Sequence, residues 1–440
     1  MISIVKLKLR IRKFIYRLKQ YNMSLIVLSI LIGVFGGFGA VLFRELISFI
    51  RENFFMQFFR NYLFLSPMVG AVLVGLLVEN LAAEAKGHGI PQIIESVKYK
   101  FGLMRKRVAA VEILAASITI ASGGSAGREG PIAQIGAGIA SSMAQILRLR
   151  PKDVRLLVTS GLVAGISATF NAPIGALIFG LEILSPEIDA SRLINLLLAS
   201  VTGKIVATQF LGDYPAFFIP YTIVFSNIAE ILFVALLGVI IGLLGALWVV
   251  VFDRFETWVD EINLPLYVKT GVFGLIVGLI GFQFVEYGIL GVGYEAVDSF
   301  FMGKITLMSV LFFIAFMKMI TTLFTVGSGT TGGIFAPSLV IGTFLGAGLG
   351  VLFEKLFPNI ISDPNLYALV GMAAYFTAVA KVPLTTLVMI PEMTRSYTIF
   401  VPIMVANAIS YVMSLVILGR ESIYTLKLNR IMRKREYVKI

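Results

Sequence analysis

Gly127-Arg128-Glu129-Gly130-Pro131 lies between two apolar segments, near 108–123 and 131–147. Proline just after a Gly-rich turn suits the first turn of a helix, where a missing N–H is no loss. The same pattern occurs twice more, in Gly87-His88-Gly89-Ile90-Pro91 and in Gly332-Gly333-Ile334-Phe335-Ala336-Pro337. Each stretch therefore predicts a helix N-terminus with free backbone N–H groups. Such an end carries partial positive charge and holds an anion without a fixed cation. One such motif is an ordinary helix start. Three, each flanked by apolar sequence, predict a buried anion site.

The surrounding sequence shows where that site is buried. Apolar segments lie near 24–50, 67–83, 108–123, 131–147, 156–184, 191–210, 228–252, 268–287, 305–326, 333–353, 366–393 and 398–418. Hydrophobic residues make up 58% of the 440 and charged residues only 14%, with a mean hydropathy of +0.92. Soluble domains carry roughly a quarter of their residues as charges, so this chain could not cover its surface in water. An all-α polytopic membrane protein is predicted. A spanning helix needs about 20 apolar residues, and several segments are shorter or broken by Gly and Pro. Inside a bilayer, broken backbone survives only where protein buries it or where it lines a wet cavity. One His and no Cys leave no conventional zinc site or Cys–His pair. No metal or other cofactor is expected, and no catalytic set for a membrane enzyme is in sight.

The net charge of +12 is concentrated in a few clusters. Residues 1–20 hold Lys6, Lys8, Arg10, Arg12, Lys13, Arg17 and Lys19 without an acid, and the tail from Arg420 onward includes the run Arg433-Lys434-Arg435. Basic flanks stay on the cytoplasmic side and attract anionic lipid, so both termini are placed inside and no nucleic-acid partner is implied. The link holding Asp253, Glu256, Asp260 and Glu261 is acidic by contrast.

The two halves match. Gly127, Pro131 and Gly136 recur 206 residues later as Gly333, Pro337 and Gly342. Gly161, Ala164, Pro173, Leu177 and Glu182 recur 210 later as Gly371, Ala374, Pro383, Leu387 and Glu392. Repeated halves with interrupted helices point to a midplane ion site. The reading divides the chain into a basic N-terminal segment 1–22, repeats 23–220 and 221–418, and a C-terminal segment 419–440.

In their order, GHGIP, GREGP and GGIFAP, with the closing stretch Glu421-Ser422-Ile423-Tyr424-Thr425, resemble the signature stretches of the CLC family of chloride channels and chloride/proton exchangers. The resemblance covers about residues 25–430. It implies an inverted repeat of about 18 tilted and broken helices, a homodimer with one anion pathway per subunit, and a prokaryotic inner-membrane location. No appended CBS domains are expected. The resemblance places Glu129 at the gating glutamate, which occupies the outer anion position when deprotonated and leaves it when protonated. It places the central anion between the N–H groups of Ile334 and Phe335 and the hydroxyl of Tyr424. The outer anion falls on amides around Gly127 to Gly130, with Arg128 setting the local field. Gly87, His88, Gly89, Ile90, Pro91, Pro131, Gly333 and Ala336 complete the implied anion-binding set.

Two departures bear on mechanism. Chloride-selective relatives often carry Ser, and nitrate-selective ones Pro, where this chain has His88. Its imidazole either donates to the anion or points to solvent while the backbone does the work. Chloride is the predicted cargo, and Pro131 argues against the fluoride-exporting branch. Proton-coupled relatives commonly have an inner acid where this chain has Ile183, beside Glu182. That absence leaves open a passive channel in place of an exchanger. Glu182 and Glu112 are the candidate replacements for a proton relay. Relatives often have Lys at position 112, and the alternative for Glu112 is an ion pair with a nearby Lys or Arg. An organic-solute transporter is a more distant reading, because few polar side chains accompany the Gly motifs.

Overall fold

The computed structural model describes residues 23–60, 62–184, 190–223, 225, 227–361 and 363–437. The basic segment 1–22 and the last three residues lie outside them. Among the described residues there is no strand, and two isolated bridges link Gly87 with Thr331 and Gly127 with Gly333.

The first half contains α1 (Met23–Ile50), α2 (Ser66–Leu81), α3 (Ile90–Tyr99), α4 (Arg107–Ala121), α5 (Glu129–Ile146), α6 (Pro151–Phe170), α7 (Pro173–Leu184) and α8 (Ala190–Leu211). The second contains α9 (Glu230–Glu261), α10 (Leu266–Gln283), α11 (Tyr294–Phe301), α12 (Met308–Gly327), α13 (Phe335–Leu356), α14 (Pro364–Ala380), α15 (Pro383–Thr394) and α16 (Phe400–Leu418). A last helix, α17 (Ile423–Tyr437), follows. Nine helices among the described residues are long and apolar enough to cross a bilayer. The others are the broken pieces.

Two segments that read as continuous in the sequence are split. The one at 156–184 breaks where Asn171 turns left-handed (φ 56°), and α7 starts afresh at Pro173. The one at 366–393 breaks at Lys381 (φ 61°) before Pro383. A left-handed residue closes a helix and a proline without an N–H opens the next. Hydropathy does not register either event.

The halves are built alike. α5 packs on α6 as α13 packs on α14, and α1 packs on α8 as α9 packs on α16. Two helices pack on their own counterparts: α2 on α10 and α7 on α15. At the second contact each helix caps the other. Glu182 accepts from Leu384 N (3.0 Å), Thr385 N (2.7 Å) and Thr385 Oγ1 (2.6 Å) at the start of α15. Glu392 accepts from Ile174 N (3.2 Å) and Gly175 N (2.6 Å) at the start of α7. Each C-terminal end meets the other helix's N-terminus, so α7 and α15 run antiparallel and the repeat is inverted. Donors on α15 hold both oxygens of Glu182, and carboxylates are favoured at helix N-termini.

Close crossings depend on glycine. A Cβ on Gly136 would overlap the Gly161 carbonyl oxygen, and one on Gly161 would overlap that of Gly136; Gly342 and Gly371 repeat the arrangement. Small residues let backbones approach this closely in apolar surroundings, where packing drives helix association. α13 is almost wholly buried, whereas α1 exposes Val27, Phe35, Phe38 and Leu42 and α16 exposes Val401, Met404, Val412 and Val416. Apolar faces of that extent need hydrocarbon or another subunit against them.

The candidate anion site

Three helix starts converge because three Gly motifs touch. Gly127 N donates to Gly333 O at 2.6 Å and Gly333 N returns the bond to Gly127 O at 2.8 Å. These are counterpart residues of the two repeats, so this reciprocal pair lies on the pseudo-two-fold axis. Gly87 N donates to Thr330 O (3.2 Å), and Gly87 O accepts from Gly332 N (3.1 Å). The amides of Gly87, Gly127 and Gly333 are therefore engaged, which corrects their expected role as anion donors. These glycines hold the loops together. At Gly130 a Cβ would overlap the His88 carbonyl oxygen and would stand 3.2 Å from Gly333 Cα.

Donors remain further into each helix start. Ile334 and Phe335 are buried, and their N–H groups have no protein acceptor among the described residues, as the first turn of a helix leaves them. Glu129 is buried (2% exposed) and its carboxylate reaches back over the Gly127–Gly333 pair. One oxygen accepts from Ala336 N at 3.3 Å and the other from the Tyr294 hydroxyl at 3.1 Å. The carboxylate thus sits on a helix-start amide, where an anion would also sit. Arg128 makes no ion pair with it; its guanidinium lies 5.8 Å from the Tyr294 ring centre and lines a cavity of about 580 Å³ together with Arg44, Arg51 and Tyr294.

His88 is fully buried, which removes the solvent-pointing alternative. Neither ring nitrogen has a partner, and the ring stands 5.5 Å from that of Tyr424 and 6.4 Å from that of Phe252. A buried imidazole with both nitrogens free is a ready donor to a small anion. Tyr424 lies on the first turn of α17 and is also buried. The acidic link of the sequence explains how α17 is docked. Lys427 meets Glu256 at 2.7 Å, and Arg430 bonds Glu256 and approaches Asp253 at 3.6 Å. Lys86, one residue before the GHGIP stretch, binds Asp260 at 2.6 Å.

The sequence reading missed Tyr294, yet a signal existed. Gly291-Val292-Gly293-Tyr294 stands 204 residues after Gly87-His88-Gly89-Ile90. All four glycines have positive φ (87° and 79°, then 61° and 92°), and α3 and α11 start on the equivalent residues. No Pro follows Gly293, so the fourth motif escaped a search for Gly followed by Pro. Tyr294→Phe removes the hydroxyl that holds the gate carboxylate. A hydrogen bond to a charged group contributes roughly 1.5–3 kcal/mol, so the gate should vacate its seat more often. Chloride efflux from vesicles at neutral pH is expected to rise by roughly tenfold to a hundredfold; an unchanged rate would refute the role of this bond.

Fold and site together describe a polytopic membrane protein whose broken helix starts meet around a buried carboxylate. A family model for voltage gated chloride channels matches residues 70–415, and the chain belongs to this family. It is 32% identical over 352 residues to a protein of Ralstonia nicotianae named as a ClcB-like chloride channel, covering 79% of this chain and 81% of that one. It is 28% identical over 441 residues to the H(+)/Cl(-) exchange transporter ClcA of Klebsiella pneumoniae, covering 97% and 92% of the two chains. The solved structure of a slow cyanobacterial Cl-/H+ antiporter superposes with a TM-score of 0.84 at 25% identity, covering 94% of this chain and 98% of its own.

Proposed function

We propose that this protein carries chloride across a membrane in exchange for protons, with Glu129 as the shared gate. The observation that carries this reading is the Glu129 carboxylate on Ala336 N and the Tyr294 hydroxyl. A protonatable group in the anion seat makes the two ions compete. Deprotonated, it blocks chloride; protonated, it loses its charge-assisted bonds, swings away and carries its proton with it. The amides of Ile334 and Phe335, with Tyr424 and His88, form the central seat. Free N–H groups and an unpartnered imidazole suit a small anion better than an organic solute.

The chain is an integral membrane protein. Both termini are assigned to the cytoplasm on the strength of the basic flanks, and the two repeats to 23–220 and 221–418 on the strength of the matches at offsets of 206 and 210. The inner membrane of a prokaryote and a homodimer follow from the family resemblance. A cytoplasmic C-terminus places Tyr424 and α17 on the inner side and Arg128 with its cavity on the outer side.

The decisive experiment is reconstitution into liposomes with a chloride gradient while external pH is recorded. Protons moving uphill as chloride runs down its gradient are expected. Chloride movement without any proton movement would replace this reading with a passive channel. Ile183 is the observation that favours that second reading, since it is buried among apolar side chains where proton-coupled relatives commonly have an acid.

A further inference from the structure

Glu112, on α4, is fully buried, and neither carboxyl oxygen has a hydrogen-bond partner. Buried polar side chains are nearly always partnered, and Glu182 and Glu392 show how this fold treats a structural carboxylate: helix-start donors hold both oxygens. Glu112 has no such donors. The expected alternative, an ion pair with a nearby cation, is absent as well. Lys427, whose charge acts on Glu112, is instead bonded to Glu256 at 2.7 Å. Charged groups on the segments next to Lys427 and next to the start of α4 are also engaged. Lys86 pairs with Asp260, Arg430 with Glu256 and Asp253, and Arg105 with Glu84 on the turn against which α4 packs.

The repeat explains how this position came to be available. Ser122, Gly123 and Gly127 correspond to Ser328, Gly329 and Gly333, each 206 residues later. Gly123 and Gly329 share a positive φ (97° and 107°), and both serines bond the carbonyl three residues back. The same offset pairs Glu112 with Lys318. Lys318 is fully buried, and its Nζ donates to Ile289 O (3.0 Å) and Gly291 O (2.8 Å), carbonyls of the loop that leads to Tyr294. In the first repeat the equivalent loop passes through Lys86 and Gly87. An ammonium lies under it too, but it belongs to Lys427 of α17: Nζ is 3.5 Å from Lys86 O, and a Cβ on Gly87 would strike it. The loop has its cation from another helix, and residue 112 is released from the lysine's task.

We propose that Glu112 is the inner proton-exchanging carboxyl of this protein, in the role that Ile183 cannot fill. The proposal rests on the exchange reading above. Its carboxyl lies two residues beyond the first turn of α4, which starts at the Arg105–Arg107 cluster, so a proton reaches it from the cytoplasmic side. No hydrogen bond must be broken when it gains or loses that proton. His88, with an unpartnered imidazole 5.5 Å from the Tyr424 ring, follows Gly87, the residue that the Lys427 ammonium underlies. In one cycle the Glu112 carboxylate takes one proton from the cytoplasm and yields it to the Glu129 carboxylate, which on gaining it leaves the anion seat. Chloride moves the other way, and no electrons are transferred.

The test uses the whole protein in vesicles with a chloride gradient, reading chloride efflux and proton uptake together. Wild type is measured first, and if it drives no proton uptake the exchange reading fails and takes this proposal with it. Given uptake by wild type, Glu112→Gln is expected to lose it while chloride still leaves the vesicles. Uptake in that variant at the wild-type ratio to chloride overturns the proposal and leaves the exchange reading standing. Glu112→Asp keeps the acid and covers the case in which the amide variant does not fold. It is expected to retain coupled uptake, and chloride movement without protons in that variant also overturns the proposal.

Discussion

Glu129→Gln is expected to abolish proton movement completely and to flatten the pH dependence of chloride flux at the level that wild type reaches in acid. The argument starts from competition for donors. Ala336 N and the Tyr294 hydroxyl hold the wild-type carboxylate over the Gly127–Gly333 pair. A charge-assisted hydrogen bond is about twice as strong as a neutral one, so a neutral amide at position 129 holds the seat poorly and chloride displaces it. Glutamine imitates the protonated gate, which is why flux should match the acid limit and not the neutral one. With no titratable group in the pathway at this point, lowering the pH has nothing left to change. Parallel recordings of chloride efflux and external pH between roughly pH 4 and 8, a range spanning the ordinary carboxyl value, check both parts. A variant that still pumps protons would remove Glu129 from the gate.

Much of this site was legible in the sequence because its parts are backbone features announced by Gly and Pro. The three helix starts and the repeat offsets of 206 and 210 came from patterns of Gly and Pro, which constrain φ or remove an N–H, whereas the gating role of Glu129 came from the family resemblance. What escaped depends on contacts between distant segments. Tyr294 lies 165 positions from Glu129, and only the folded repeat brings its hydroxyl to the carboxylate. The bonds that engage Gly87, Gly127 and Gly333 could not be separated in the sequence from free amides, because both uses require the same glycines. The acidic run Asp253 to Glu261 read as a polar link, whereas its charges fasten α17 and so place Tyr424. Glu112 read as a choice between relay and ion pair. The choice turns on Lys427, which is far away in sequence and is already bonded to Glu256.

Gly130→Ala is expected to cost the protein its anion site even though it adds one methyl group. Gly130 is the point where the GHGIP, GREGP and GGIFAP stretches meet: a Cβ there would overlap the His88 carbonyl oxygen and stand 3.2 Å from Gly333 Cα. Both neighbours are backbone, so no side-chain rotation can make room. Overpacking of a rigid core costs about 1–3 kcal/mol and sometimes more, and here the strain falls on three loops tied by Gly127–Gly333 and Gly87–Thr330 bonds. Relief requires moving the His88 loop away, which withdraws the imidazole from Tyr424 and spreads the helix starts. Calorimetric chloride binding should then be undetectable, and the variant should melt several degrees lower in detergent. Gly291→Ala is the control, since nothing lies within 4 Å of a Cβ there. Its positive φ of 61° imposes backbone strain without a clash, costing about 1 kcal/mol, and chloride binding should survive. Equal loss in both variants would mean that backbone strain, and not the contact at Gly130, governs the site.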